Sequence, residues 1–296
     1  MNLSLIISSI IVILVILALF FYAFKNDKSK ISVQDIALVA LFVVIIAILN
    51  KFIALKFPPS QPMFVISFAS AVSISLGLLI NPKLCLLAGL VTDILGMLIA
   101  SASGDNSMPY VGFTLTAMLS IFIPCILYRW TKQFNKTLIN MIIISVLLAI
   151  IVFSGIYLFN VDVISIDQNK TQLNDGIRYM ILISLIIIAI IICIINFIMQ
   201  KKLVLSSQYK ISIPQLSLIV LSVEVICHII LTSLWVNLMY GVPMYIGMIT
   251  RMIKAIIMLP LNIIVISLII RYIPKQFKQH LMNDVANENE IINSNE

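Results

Sequence analysis

Runs of about 20 apolar residues, the length an α-helix needs to cross a bilayer, follow one another along this chain. Short polar segments separate them. We interpret nine of these runs as membrane-spanning helices, at 3–24, 33–50, 63–80, 84–100, 110–128, 138–159, 178–199, 214–238 and 245–272. The sequence therefore predicts an all-α fold, a polytopic membrane helix bundle.

The composition agrees with a membrane protein and excludes several soluble classes. Of the 296 residues, 61% are hydrophobic and 10% are charged, whereas a soluble domain carries about 25% charged residues. This excludes a cytosolic enzyme, a disordered scaffold and a secreted disulfide-rich module. The first run has no basic segment before it and no small-residue cleavage site, so we predict a retained helix rather than a signal peptide.

The positions of the basic residues predict the orientation of the chain. Loops rich in Lys and Arg prefer the cytoplasmic side of a membrane. If the basic segment 25–30 lies inside, thirteen of the 19 basic residues lie inside and only Lys51, Lys56 and Lys170 lie in outer loops. We therefore expect a multi-pass plasma membrane protein with its N-terminus outside and its C-terminus in the cytoplasm. The net charge of +7 reflects mainly this orientation and does not indicate a nucleic-acid partner.

Five ionisable residues lie well within the predicted spans: Asp93, Glu224, His228, Arg251 and Lys254. A charge at the membrane centre costs at least about 2.5–3.5 kcal/mol, so each such residue needs a partner or a function. Arg251 and Lys254 are three residues apart and share a helix face. At 1.5 Å per residue, Arg251 lies about 9 Å below the outer end of the last span. Either these groups pair and hold helices together, or the two cations form the base of a cavity that holds an anion.

Aromatic residues gather at the predicted outer ends of the spans: Phe52, Phe57, Phe64, Phe113, Trp235, Tyr240 and Tyr245. They fit either the aromatic belt of a membrane protein or a stacking surface for a planar, anionic solute. The sequence contains no phosphate-binding loop, no zinc-protease motif and no nucleophile elbow. We therefore predict a binding protein rather than an enzyme, with no metal site.

Several motifs carry a resemblance to a known family. They are ISF at 66–68, LGLLINP at 76–82, GLVTDILG at 89–96, PYVGFTLTA at 109–117, TSLW at 232–235, LMYG at 238–241 and RMIK at 251–254, with Pro260 following. Together they resemble the substrate-binding S components of energy-coupling factor (ECF) transporters, and most closely the folate-specific members. The resemblance covers about 35–130 and 212–272.

This resemblance implies a function that the composition alone does not give. Members of the family are six-helix membrane proteins that bind a vitamin near the outer face. They work with a transmembrane coupling subunit and two ATPase subunits. The chain is thus expected to be the substrate-capture subunit of an ATP-driven importer of a vitamin, folate, in contact with membrane lipid. It would hold no cofactor itself, because the partner ATPase subunits use the ATP.

The resemblance also implies a set of substrate-binding residues. They are Lys51, Phe52, Phe64, Phe68, Asp93, Phe113, Trp235, Tyr240, Arg251 and Lys254. The aromatic residues would stack on the ring of the vitamin, and the cations would attract the carboxylates of its glutamate tail. Lys51 stands where the family usually has an arginine, so the charge is kept without the bidentate geometry of a guanidinium.

The chain departs from the family by two additions and by a changed stripe of small residues. Family members use this stripe, on their first core helix, to pack against the coupling subunit. Here Ala37 and Ala40 are three residues apart rather than four. We divide the chain into an extra N-terminal transmembrane helix with a basic linker (1–30), core helices 1–4 (31–130), an inserted transmembrane hairpin (131–210), core helices 5–6 (211–276) and a polar cytoplasmic tail (277–296).

Three alternatives remain open at this point. The same fold could bind another vitamin, such as riboflavin, pantothenate or a queuosine precursor. An ion-coupled secondary transporter could use Glu224 and His228 as a proton relay, although the chain shows no convincing internal repeat. A membrane-embedded enzyme is the third alternative, and it lacks a nucleophile–base pair.

Overall fold

The computed structural model describes residues 3–27, 31–57, 64–102, 109–131, 136–160, 163–166, 169–172, 211–242 and 244–273, with isolated positions between 179 and 190. The helices in these ranges are α1 (Leu3–Asn26), α2 (Val33–Ile48), α3 (Ala69–Leu79), α4 (Pro82–Ala102), α5 (Val111–Thr131), α6 (Lys136–Asn160), α7 (Ile213–Val223), α8 (Thr232–Tyr240) and α9 (Met244–Tyr272). A π-helical turn at Leu49–Ile53 extends α2. A longer π-helical segment, Glu224–Leu231, joins α7 to α8.

The helical membrane bundle predicted from the sequence is confirmed in its class. Four of the described helical stretches are long and apolar enough to cross a bilayer: Ser4–Asn26, Pro82–Ala102, Val111–Thr131 and Ile213–Tyr240. Shorter apolar helices accompany them, among them α2 and α3. The predicted number of nine spans is not established, because the seventh span at 178–199 lies almost entirely outside the described residues.

Two short hairpins lie between helices of the described chain and leave its all-α class unchanged. Strand β1 (Leu55–Phe57) pairs antiparallel with β2 (Phe64–Ile66), and β3 (Val163–Ile166) pairs with β4 (Asn169–Gln172). The predicted helix 63–80 therefore begins only at Ala69. Residues 64–66, at the start of the predicted span, are aromatic and β-branched and favour a strand. At the start of α3, the Ser67 hydroxyl accepts a hydrogen bond from the Ala69 amide at 3.1 Å.

The short helix α3 lies at the centre of the bundle and packs against α2, α5 and α9. Nearly all of its residues are buried, whereas at 1.5 Å per residue its length is only about 16 Å. Two glycines allow the helices around it to approach closely. A Cβ atom on Gly77 of α3 would strike the carbonyl oxygen of Ile121, and one on Gly89 of α4 would strike the backbone of Met118. Both contacts are with α5.

The N-terminal helix α1 packs on the outside of the bundle, against α4, α5 and α8. Most of its apolar side chains remain exposed, as expected for a surface in contact with lipid. Its first turns are tied to the core by a hydrogen bond of 2.7 Å between the hydroxyls of Ser8 and Tyr110. The helix thus covers an aromatic cluster at one end of the bundle and reaches the opposite end at Asp27.

Candidate functional site

Arg251 is buried inside the bundle on α9, with 9% of its surface exposed. Its Nη1 donates hydrogen bonds to the Ser233 hydroxyl at 3.0 Å and to the Gly247 carbonyl oxygen at 3.1 Å. A Cβ atom on Gly247 would lie 2.9 Å from Nη1, so the missing side chain makes room for the guanidinium. Both partners are neutral. Within the described part of the chain, Arg251 forms no ion pair with a carboxylate.

Lys254 lies almost one turn further along α9 and is half-buried. The sequence places the two cations on one helix face, and no described carboxylate forms a hydrogen-bonded ion pair with either of them. The attraction of Lys254 by the Glu224 carboxylate acts over a longer distance. Two positive charges are therefore held next to each other inside the bundle without a contacting acid.

Glu224 is the deepest of the acidic groups, with 1% of its surface exposed at the start of the π-helical segment. Its Oε1 accepts a hydrogen bond of 3.0 Å from the Asn262 side-chain amide. The Asn262 carbonyl oxygen in turn accepts a bond of 3.3 Å from the Ser70 hydroxyl. These contacts join α3, α9 and the π-helical segment. The Oε2 atom of Glu224 is buried and has no hydrogen-bond partner among the described residues.

His228 follows Glu224 by four residues in the same π-helical segment. Because π-helical hydrogen bonds reach the fifth residue, four positions amount to slightly less than one turn, and the two side chains lie on nearly the same face. The Nε2 atom of His228 is buried and lacks a hydrogen-bond partner within the described ranges. Arg251 and Lys254 both act on His228 electrostatically. This face thus carries two buried polar atoms that have no hydrogen-bond partner among the described residues.

An aromatic cluster lies between the start of α5 and α8. The Trp235 ring is 4% exposed and meets the Tyr110 ring edge-on at 5.7 Å, and the Tyr110 ring meets Phe113 at 6.2 Å. The indole Nε1 of Trp235 donates to the Thr116 hydroxyl at 2.9 Å. A Cβ atom on Gly112 would strike the Tyr110 and Trp235 rings. The cluster is closely packed, and its polar atoms have partners.

The structure separates two of the predicted site residues, Arg251 and Trp235. Ser233, the partner of Arg251, and Trp235 are two positions apart on α8 and therefore point about 200° apart around the helix. Ser233 faces α9, whereas Trp235 faces α5 and α1. Arg251 and Trp235 consequently lie on opposite sides of α8.

The remaining predicted site residues lie on several different elements. Asp93 on α4 is half-buried and accepts a hydrogen bond of 2.6 Å from the Thr114 hydroxyl of α5. Phe52, Phe68 and Tyr240 are exposed. The backbones of Lys51 and Phe64 lie in the π-helical turn after α2 and in β2, while their side chains lie outside the description.

Sequence reasoning missed several polar side chains that organise this region: Ser70, Thr116, Ser233 and Asn262. Each is a single polar residue within an apolar run, and the sequence alone does not distinguish it from other isolated polar residues in the spans. Asn262 gave the clearest available signal, since a buried amide inside a membrane helix needs partners for several hydrogen bonds. Their partners come from other helices, and that pairing is visible only in the fold.

No protein-family model and no curated protein matches this chain. Among solved structures, the crystal structure of FolT bound with folic acid is similar to it. The two are 20% identical, the match covers 79% of this chain and 91% of that chain, and the TM-score is 0.45.

Proposed function

We propose that this chain is the substrate-capture membrane subunit of an ATP-driven vitamin importer, and that it binds a folate-like aromatic anion near its outer face. The observation that carries the proposal is Arg251, a buried guanidinium that has two neutral partners and no contacting carboxylate among the residues that the structure describes. An uncompensated buried charge is costly. An anionic ligand offsets that cost, because it supplies the missing negative charge.

The geometry of Arg251 suits a carboxylate in particular. The two contacts with Ser233 and Gly247 occupy Nη1 and fix the guanidinium plane, while Nη2 and Nε donate to no described residue. A guanidinium with free parallel donors binds a carboxylate through two hydrogen bonds. Lys254, less than one turn away, adds a second positive charge for a ligand with more than one carboxylate.

The polar groups extend from Arg251 towards the middle of the bundle. Ser233 and Glu224 are nine positions apart, which is at most about 13 Å, because the π-helical segment between them rises less per residue than the 1.5 Å of an α-helix. One end of this line attracts anions, and the other presents the unpartnered Glu224 Oε2 and His228 Nε2. An elongated solute with carboxylates at one end and a ring rich in N–H donors at the other matches both ends. Folate, with its glutamate tail and pterin ring, has this distribution of groups.

The rest of the transporter is inferred from the sequence resemblance. A transmembrane coupling subunit and two ATPase subunits would supply the energy, with the C-terminus of this chain in the cytoplasm. Helix α2 carries Ala37 and Ala40 on an exposed face together with Val33, Leu41 and Val44. Because α2 stands at the position of the family's first core helix, we infer that this apolar face contacts the coupling subunit.

Ligand binding by the purified protein tests the proposal, with tryptophan fluorescence as the readout. Folate should bind, and Arg251→Gln should weaken its binding about 10- to 100-fold, the range for a lost hydrogen bond to a charged group. Binding of the pterin ring without its glutamate tail should change little. Arg271→Gln is the matched control, because Arg271 is an exposed arginine on the same helix.

Two outcomes would contradict this assignment. If folate has no effect while riboflavin, pantothenate or a queuosine precursor binds, the fold serves another vitamin. If Arg251→Gln weakens the bare pterin as much as folate, Arg251 does not bind the carboxylate. Either result identifies which part of the proposal fails.

An ion-coupled transporter is the second candidate, favoured by the unpartnered atoms of Glu224 and His228. Buried ionisable groups inside a membrane commonly belong to proton pathways. Uptake of the solute into proteoliposomes containing this chain alone distinguishes the two functions. Uptake that an uncoupler abolishes and that needs no ATP would establish the second candidate over the first.

A further inference from the structure

A cavity of about 240 Å³ lies at the end of the bundle opposite to Arg251, where the end of α1, the start of α4 and the end of α5 meet. Its lining includes Tyr22 and Asn26 of α1, Asp27 directly after α1, Pro82 of α4, and Arg129 and Trp130 of α5. Half of the eight lining residues belong to the added helix α1 or directly follow it. The cavity therefore exists because α1 is present, and the predicted function does not use it.

The surroundings of the cavity are predominantly cationic. The Arg129 side chain is exposed and makes no hydrogen bond or ion pair with another described residue. Lys83 directly follows Pro82, and its Nζ lies 5.5 Å from the centre of the Phe24 ring. Lys25 on α1 adds a third positive charge at the same end. Asp27 is the acidic residue among the described residues that line the cavity, and the positive charges around it attract an anion.

The donors that line the cavity suit a phosphate group. A guanidinium binds phosphate oxygens through parallel hydrogen bonds, and the Asn26 amide and Tyr22 hydroxyl are neutral donors on the adjoining wall. Trp130 is 61% exposed, and Tyr22 is exposed as well. Exposed Trp and Tyr side chains at a helix end are typical of the level of the lipid headgroups.

An apolar stripe on α1 connects this cavity with the hydrocarbon region. Ala18, Val15 and Ile11 precede Tyr22 by four, seven and eleven residues and so lie on the same helix face. All three are exposed. An acyl chain can follow this stripe while its headgroup occupies the cavity, whereas a soluble phosphate would make no use of it.

We propose that this cavity binds the headgroup of an anionic glycerophospholipid, with the phosphate on Arg129 and an acyl chain along Ile11, Val15 and Ala18. Phosphatidylglycerol fits the lining best. The buried Asp27 carboxylate accepts a hydrogen bond from a glycerol hydroxyl, but it repels the carboxylate of phosphatidylserine. The bound lipid fills the gap between α1 and the core, which gives the added helix a defined role as one wall of a lipid site.

Fluorescence of the full-length protein in phosphatidylcholine nanodiscs tests the proposal. Trp130 and Trp235 are the two tryptophans of the chain, and they lie at opposite ends of the bundle. Subtracting the signal of Trp130→Phe therefore isolates the emission of Trp130. A small fraction of brominated phosphatidylglycerol should quench Trp130 about fivefold more than the same fraction of brominated phosphatidylcholine, the preference that one basic residue gives for an anionic lipid.

The variants decide whether Arg129 causes that preference. Arg129→Gln should abolish it, Arg129→Lys should keep most of it, and Arg271→Gln, which alters an exposed arginine of α9, should leave it unchanged. Because Arg129→Lys preserves the charge, it separates a lost site from a misfolded protein, and size-exclusion profiles of all variants should match. Equal quenching by the two lipids, or a preference that survives Arg129→Gln, would overturn the proposal. Loss of quenching on addition of soluble glycerol phosphate would show that the site takes a free phosphate instead.

Discussion

The close approach of α4 and α5 makes a quantitative prediction for Gly89→Ala. A Cβ atom at this position would lie 2.8 Å from the Met118 amide nitrogen and 3.0 Å from the Ala117 carbonyl oxygen, so it meets backbone that cannot rotate away. Overpacking of this kind costs about 1–3 kcal/mol. The better helix propensity of alanine returns about 0.5–1 kcal/mol. We therefore expect a net loss of stability.

Gly96 on the same helix is the matched control, because no atom lies within 4 Å of its added Cβ. Gly96→Ala should thus gain the propensity term alone. The two variants should differ by about 2 kcal/mol, which corresponds to a Tm about 4–8 °C lower for Gly89→Ala at 2–4 °C per kcal/mol. Thermal unfolding of the purified proteins in detergent measures this difference, with the folded fraction at each temperature determined by size-exclusion chromatography. If Gly89→Ala melts at or above Gly96→Ala, the helices do not cross at Gly89 as described.

Three further stability predictions use the same thermal assay. Asn262→Leu removes the donor to Glu224 Oε1 and should cost about 1.5–3 kcal/mol, as for other lost hydrogen bonds to a charged group; an unchanged Tm would refute this contact. Trp235→Phe should cost about 1 kcal/mol, and adding Thr116→Val should cost little more, since the two residues share one bond. Ser32→Ala removes the N-cap of α2 at a cost of about 1 kcal/mol, whereas Ser32→Asp should retain stability.

The helices were predictable from the sequence because membrane insertion demands long apolar runs. Helices α1, α4 and α5 match the predicted spans to within a few residues. The start of α3 was not predictable in this way. Hydropathy treats residues 64–66 and the helix that follows as one apolar run, and only pairing with Leu55–Phe57 makes them a strand. Long-range pairing of this kind leaves no mark on local periodicity.

The candidate site was predictable in part. A basic pair inside an apolar helix has few interpretations, so Arg251 and Lys254 could be singled out by their cost alone. The assignment of Trp235 to the same group relied on its position at an outer helix end. The structure instead turns Trp235 towards Tyr110 and Thr116, because the direction of a side chain around α8 depends on how the preceding helix is wound.

The winding of that preceding segment sets the rotational phase of everything after it. The π-helical stretch Glu224–Leu231 accommodates more residues per turn than an α-helix, so a deletion of one residue there would relax it towards α-helical geometry without shortening the span appreciably. Such a deletion would remove the extra residue of the wide turns, so the following helix would keep nearly the same rotational position. One residue removed from the α-helical stretch Ile213–Val223 would instead rotate the following helix by about 100°. Ser233 would then leave Arg251 and Trp235 would leave Thr116 in the same step. The rotational position of α8, which is set by the segments before it, therefore decides whether both contacts exist.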